Sequence, residues 1–345
     1  MSNFLTVKKK IKTFKTTIEV SGDKSLSIRW VLLSSLAEGV SVAKNLLMSE
    51  DIFAALKAVQ KLGVKVSVKK NICKIYGKGI NGYKYKKNIT INAQNSGTLG
   101  RLILGLLVNS PFKIKLIGDK SLSKRDFSRI IKPLNIFGVK VKSNKNKLPV
   151  ILKGTNCLRP IYFEEKKGSA QVKSCIMMAS LNTPGTTEIK CVNSRDHTER
   201  LFNYLKIPIV IKKLSKTHKL IKIQGKNQYN AFNYNIPGDI SSAAFFIVLT
   251  ILSKNSEMII KNVNINETRT GVIKILKRMG ATIKLKNKKI YKGENTANIF
   301  IKSSRKLKGI NCPSYFNSSA IDEFLIIFLV AAKAKGISTF KNLGE

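Results

Sequence analysis

Lys24, Ser25 and Arg29 stand just behind a Gly22-Asp23 turn, and their types and spacing suit them to hold an anion. Ser25 and Arg29 are four apart, so on a helix they share a face. Lys24 would sit at the helix entrance, where backbone amides point outward and the dipole favours negative charge. The residues Gly-Asp-Lys-Ser-Leu-Ser of 22–27 recur at 118–123, now followed by Lys124-Arg125, and a variant, Gly238-Asp239-Ile240-Ser241-Ser242, comes later. Each lies after a β-like run and before a helix-like run. One copy alone reads equally well as a capped helix with a solvated lysine. The recurrence points to repeated strand–turn–helix units whose helix starts are used together.

Other stretches carry groups of the same kind. Asn95-Ser96-Gly97-Thr98 precedes a helix with Arg101 in its first turn, and glycine at 97 lets a ligand come close to the backbone. An ordinary turn and cap is the alternative there. Lys124-Arg125 at the start of a helix would oppose its dipole, which favours a binding role over a stabilising one. Ser169, Ala170 and Gln171 open an apolar helix with groups that could meet phosphate oxygens and hydroxyls, or simply cap it. Arg195-Asp196-His197-Thr198-Glu199-Arg200 is dense in polar groups, with His197 read as a structural hydrogen-bonding residue. Ile321-Asp322-Glu323 places carboxylates at a helix start, either as dipole partners or as an ionised general base.

Repeated elements must position these groups. An apolar-periodic helix ends at a glycine and an alternating strand follows: Ala54–Leu62 before Gly63, Phe127–Phe137 before Gly138, Thr270–Met279 before Gly280. A second pattern is glycine, a short β-branched strand, then asparagine, as in Gly39–Asn45, Gly185–Asn193 and Gly336–Asn342. Pro237-Gly238 marks a domain boundary. After the last strand the chain stops at Glu345, which reads as the middle of a unit. Lysine-rich pieces at 142–147 and 284–292 read as strand–turn–strand surface.

Composition sets outer bounds. The 345 residues are 43% hydrophobic, enough for two domains with packed cores. The net charge of +44 comes from lysine spread along the whole chain, whereas arginine gathers beside turns, at Arg29, Arg101, Arg125, Arg195, Arg200 and Arg269. Planar, bidentate arginine is the residue expected at phosphate and carboxylate contacts, so the lysines read as background. No aromatic-interleaved basic motif marks an RNA site, and specific nucleic-acid binding is not expected. Five isolated cysteines and two separated histidines give no disulfide framework and no metal spacing, so a reducing, cytoplasmic setting follows. The longest apolar runs are far short of the roughly 20 residues a membrane span needs.

In type and order these stretches resemble the 5-enolpyruvylshikimate-3-phosphate synthases, the enolpyruvyl transferases of the shikimate pathway. The resemblance rests on Gly22–Arg29 with Ala37-Glu38-Gly39, Asn95–Arg101, Gly118–Arg125, Ser169–Ser174, Arg195–Arg200, Pro237–Phe245, Thr268–Gly271 and Ile321–Glu323. It implies an α/β fold of two domains built of βαβαββ-type units, 22–237 complete and 1–21 plus 238–345 incomplete at its end. It implies transfer of the enolpyruvyl group of phosphoenolpyruvate to the 5-hydroxyl of shikimate-3-phosphate, with no metal or organic cofactor. By motif, Lys24, Ser25, Arg29, Ser169, Ala170 and Gln171 would hold shikimate-3-phosphate. Lys24, Gly97, Arg125 and Gln171 would hold phosphoenolpyruvate; Asp322, also a shikimate-3-phosphate contact, would accept the 5-hydroxyl proton, with Lys24 as the second catalytic residue. The partners implied are small anionic substrates, with no membrane, and the protein is expected to be a monomer.

Departures are Ile28 for a usual histidine, Trp30 for a small residue, Gly100 for a larger one, and Phe324-Leu325 after the acid pair. The family continues past the equivalent of Glu345 into a Lys-Glu-Ser-Asp-Arg helix. The chain is therefore expected to be truncated and inactive alone. An anion-binding remnant is the alternative; a UDP-sugar transferase fits less well, since it would show Lys-Asn where Lys24-Ser25 stands.

Overall fold

The computed structural model describes residue 6 and residues 10–344. Contacts divide the chain into two units, one of Gly22–Ile236 and one of Met1–Ser21 with Pro237–Glu345. The first strand, β1 (Lys15–Glu19), belongs to the divided unit, and α1 (Lys24–Leu36) opens the continuous one.

The continuous unit repeats one plan three times. First come β2 (Glu38–Lys44), α2 (Glu50–Lys61), β3 (Lys65–Lys69) and β4 (Ile72–Lys78). Next are β5 (Thr90–Asn92), α3 (Gly97–Leu106), β6 (Lys113–Ile117), the single turn α4 (Lys120–Ser123), α5 (Ser128–Ile136), β7 (Lys140–Asn144) and β8 (Lys147–Lys153). Then follow β9 (Tyr162–Glu165), α6 (Ala170–Ser180), β10 (Thr186–Val192), α7 (His197–Tyr204), β11 (Ile209–Lys213) and β12 (His218–Gln224), with β13 (Tyr234–Asn235) last. The sheets run β5-β6-β8-β7, β9-β10-β12-β11 and β13-β2-β4-β3. In each the first pair is parallel and the rest antiparallel.

The divided unit repeats the plan with β1, α8 (Ile240–Leu252), β14 (Glu257–Asn264), α9 (Gly271–Arg278), β15 (Thr282–Tyr291) and β16 (Glu294–Lys302), in sheet order β1-β14-β16-β15. After it come β17 (Asn311–Cys312), α10 (Asn317–Ala320), α11 (Phe324–Lys333) and β18 (Thr339–Phe340), with β17 and β18 parallel. The unit's core gathers Ile240, Ile247 and Ile251 of α8, Ile275 and Leu276 of α9, Ile299 and Ile301 of β16, and Ile327 of α11. On α8 and α11, Phe245, Leu325 and Leu329 face solvent.

Local sequence explains the layering. Helix α1 buries every residue from Leu26 to Leu36, and α6 every residue from Val172 to Ser180. A helix without a polar face has to be surrounded. Their internal hydroxyls are absorbed by the preceding turn, as where Ser35 Oγ donates to Leu32 O and Ser180 Oγ to Met177 O. Strand β8 alternates instead: Leu148, Val150 and Leu152 point inward and the flanking lysines outward. The glycines that close α2, α5 and α9 sit at φ +85° (Gly63), +97° (Gly138) and +93° (Gly280), as the helix–glycine–strand pattern requires.

Two expectations fail. Residues 284–292 form no strand–turn–strand: β15 runs through to Tyr291 with an irregular register between Lys286 and Lys289, and the turn comes at Lys292-Gly293. The second Gly-Asp-Lys-Ser-Leu-Ser opens only the one-turn α4, so Lys124 caps its C-terminal end and Arg125 follows it. That cation pair does not oppose a helix start.

Helix α3 contains two glycines with opposite roles. A Cβ on Gly105 would lie 2.3 Å from Cys175 O on α6, whereas one on Gly100 would meet nothing nearer than Ala93 Cβ at 3.5 Å. Gly105→Ala must push α3 and α6 apart and is expected to cost about 1–3 kcal/mol. Gly100→Ala is expected to gain up to about 1 kcal/mol from helix propensity. Chemical denaturation followed by the single tryptophan, Trp30 in α1, checks both.

Candidate active site

In the continuous unit, cations gather at the start of α3. Ser96 caps the helix through Leu99 N at 3.3 Å, and Gly97 is its first residue. A Cβ on Gly97 would meet Arg101 Nη1 at 2.9 Å and Arg125 Nη1 at 3.1 Å, so both guanidinium groups lie against this backbone. Arg125 reaches back from the residue after Lys124 and donates to Asn95 Oδ1 at 3.0 Å. Arg101 lies over the Phe127 ring, 5.1 Å from its centroid. Its burial, together with Arg125 and Arg129, lowers its pKa, which marks the place as electropositive. Two guanidiniums beside the outward amides of a helix start form a seat for an anion.

Gln171, in the first turn of α6, joins this seat to the next. Its Oε1 accepts from Arg101 Nη1 at 2.6 Å and its Nε2 donates to Thr98 Oγ1 at 3.2 Å. Ser169 is the cap of α6, accepting from Val172 N, and Ala170 is the first helical residue. Arg29 is buried. Its Nε donates to Thr198 Oγ1 at 2.8 Å, its Nη2 to Ser174 Oγ at 3.0 Å and its Nη1 to Ser25 O at 3.0 Å, tying α1, α6 and α7 together. Lys24 begins α1 and is exposed, beside Asp23, whose side chain caps the helix through Leu26 N.

Behind α6, Lys173 and Glu199 are both buried, with Nζ to Oε1 at 2.6 Å, and Lys219 reaches the same oxygen at 2.9 Å. Burial alone would raise the Glu199 carboxyl. The two ammonium groups outweigh it and hold the group down to about 2.

In the divided unit, Asp322 and Glu323 lie in the turn before α11 rather than in the helix. Arg269 is buried beside them. Its Nη2 donates to Ser241 Oγ at 2.7 Å and to Asp239 Oδ1 at 3.4 Å, and lies 3.9 Å from Asp322 Oδ2. Ser241 Oγ in turn donates to Glu323 Oε1 at 2.5 Å. The third variant of the repeated turn thus ends at a guanidinium-bridged group of carboxylates, with Asp322 half-exposed at its edge. Among the described residues no group of histidine, cysteine and carboxylate side chains could hold a metal ion, and no helix is long and apolar enough to cross a membrane.

The family model for EPSP synthase (3-phosphoshikimate 1-carboxyvinyltransferase) matches residues 8–345. The chain belongs to the EPSP synthase family. The 3-phosphoshikimate 1-carboxyvinyltransferase of Ruthia magnifica is 43% identical over 346 residues, which span 100% of this chain and 78% of that one. The protein of the same name from Vesicomyosocius okutanii is also 43% identical, over 95% of this chain and 74% of its own. A solved EPSP synthase from Acinetobacter baumannii superposes with a TM-score of 0.85 at 38% identity, covering 95% of this chain and 74% of that one. The chain spans about three quarters of the length of these relatives.

For this family member the sequence alone left several groups out of the site. Arg101 was nameable from its place four residues after Gly97. Lys173 had a signal too, since a lysine in a helix apolar on every side requires a buried partner. Arg269 reads from the sequence as a turn-side arginine with no assigned role, and the contacts of Ser174 and Thr198 are not readable locally because their partners come from distant elements.

The Glu199 pair predicts an acid-labile contribution to stability. Its folded pKa of about 2 lies below the ordinary 4.5, so the stabilisation is present above about pH 4.5 and is lost as pH falls toward 2. Glu199→Gln is expected to cost about 3–5 kcal/mol at neutral pH. The gap from wild type should narrow between those pH values in urea titrations. A gap independent of pH would refute the assignment.

Proposed function

We propose that this chain transfers the enolpyruvyl group of phosphoenolpyruvate to shikimate-3-phosphate. The 5-hydroxyl oxygen adds to C2 of the enol, C3 takes a proton, and the tetrahedral adduct then loses phosphate from C2 and a proton from C3 to leave the enolpyruvyl ether. The observation that carries this is Gln171. It belongs to the α6 start and holds Arg101 at the α3 start, so one side chain joins two anion seats, as a reaction between two anions needs.

The α6 start, with Ser169, Ala170 and Gln171, takes the shikimate-3-phosphate, and α1 contributes Lys24, Ser25 and Arg29. Gly97, Arg125 and Gln171 take phosphoenolpyruvate, with Lys24 as a further cation and Arg101 completing the pair around Gly97. Arg29, buried against Ser174 and Thr198, also fixes the frame on which the α6 groups stand. Asp322 accepts the 5-hydroxyl proton, with the Arg269 guanidinium 3.9 Å from its Oδ2. Side chains and helix-start backbone amides supply all these roles, so no cofactor is invoked. The protein is taken as a cytoplasmic monomer whose lysine-rich surface binds nucleic acid at most non-specifically.

Phosphate release from phosphoenolpyruvate, dependent on shikimate-3-phosphate, tests the proposal and also decides the inactivity expected from the sequence. Asp322→Asn keeps shape and removes the base, so turnover should fall roughly 10²–10⁴-fold with little change in substrate binding. Arg125→Ala should raise the KM for phosphoenolpyruvate by the worth of one charge-assisted contact, about 1.5–3 kcal/mol, and leave shikimate-3-phosphate binding unaltered. Calorimetry that finds shikimate-3-phosphate and plain shikimate bound equally well would overturn the assignment.

A further inference from the structure

The charges buried behind α6 have no part in the reaction described above. Lys173 lies four residues after Ser169, and its Nζ donates to Glu199 Oε1 and, at 3.0 Å, to Arg195 O. Lys219 Nζ donates to the same Glu199 oxygen at 2.9 Å. The other Glu199 oxygen has no hydrogen-bond partner. A buried ion pair of this kind is poor value as packing, since apolar residues of similar volume commonly fill such a place with equal or better stability. What an apolar residue could not do is hold a main-chain carbonyl. The carbonyl held is that of Arg195, in the loop between β10 and α7.

That loop runs against the start of α6. A Cβ on Gly168 would come within 3.5 Å of Val192 Cγ1 and 3.8 Å of Asn193 O. At its far end Arg200 Nε bonds Asp196 Oδ2 at 2.9 Å. The loop is therefore fixed at Asn193, whose N and Nδ2 donate to Thr217 O and Lys216 O, at Asp196 by Arg200, and at the Arg195 carbonyl by Lys173 from below.

Resting on the assignment of the α6 start to the shikimate phosphate, we propose that Lys173 is a positioning residue for that phosphate. Through the Arg195 carbonyl it sets the 193–196 loop against the α6 start, and Glu199, itself held by Lys219, sets Lys173. The triad sums to one positive charge, so it also leaves a net cation beneath the anion.

Calorimetry on the purified 345-residue chain, with shikimate-3-phosphate and with shikimate lacking the phosphate, tests this. Lys173→Met is compared with the double replacement Lys173→Met/Glu199→Leu, which removes both buried charges and is expected to fold even if the single variant does not. In the double variant Lys219 lies near enough to the surface to reach water. The expected result is about ten-fold or greater weakening for shikimate-3-phosphate, equivalent to one hydrogen bond to a charged group, with shikimate unchanged. Adding Arg195→Ala to the double variant should cause less further loss than Arg195→Ala causes in the wild type, because Lys173 acts through that loop. Wild-type affinity in a double variant that is only less stable overturns the inference, as does equal weakening for both ligands. A wild-type chain that binds neither ligand overturns the proposed function, and this inference falls with it.

Discussion

A helix that joins two parallel strands must begin at the carboxyl end of the first. This geometric constraint is what the site depends on. In β5–α3–β6 and β9–α6–β10 it brings both helix starts to one edge of their sheets, where Gln171 reaches Arg101. The same rule acts with exchanged strands elsewhere. Helix α1 follows β1 in the chain, yet β13 is the parallel neighbour of β2, while β1 pairs with β14 of the divided unit. The two chain crossings, near Ser21 and Pro237, therefore fall at strand–helix turns, and both turns carry a form of the repeated Gly-Asp motif.

Charge in this protein sorts by depth. Many of the lysines behind the +44 balance stand on the outward side of strands, as along β8, where they cost little and specify little. The cations that are buried each bind particular partners: Arg29 two hydroxyls and a carbonyl, Lys173 a carboxylate and a carbonyl, Arg269 a hydroxyl and two carboxylates. Burying a cation is unfavourable unless it is paired and hydrogen-bonded. Depth therefore separates the cations with several fixed partners from the incidental ones, while Lys24 and Arg125, proposed to meet substrate, stay exposed.

The repeated α/β plan was legible because glycine after a helix and alternation after glycine are local signals, and Gly63, Gly138 and Gly280 all take the backbone form those signals require. The turn at 118–123 misled because identical residues need not open identical helices. Asp126 accepts from Ser128 N at 2.8 Å and from Ser128 Oγ, which starts α5 afresh and leaves α4 a single turn. Arg125 still reaches Gly97, but from a loop. Its place owes nothing to the dipole conflict that first drew notice to it. Contacts such as Arg29 with Thr198 link residues far apart in the chain, and no spacing rule announces them.

The repetition is deeper in structure than in sequence, and one contact shows why. At the end of the last strand of each plan, a backbone N–H bonds a carbonyl at the end of the first helix: Gly79 to Ala37, Thr155 to Val108, Lys226 to Leu181 and Ser304 to Ile251. In the continuous unit the strand passes so close that a Cβ on Gly77, Gly154 or Gly225 would lie between 1.9 and 2.4 Å from a backbone atom of the helix end. Glycine is forced at those three positions. In the divided unit the strand approaches through Ser303 and Ser304, where hydroxyls bond Ser256 N and Thr282 N, so side chains are accommodated and the glycine signal is absent. The shared requirement is to satisfy the orphan carbonyls of a buried helix end, which water cannot reach. Four plans meet that requirement with four different donor residues, so the repeat is held by backbone chemistry that a comparison of side chains does not see.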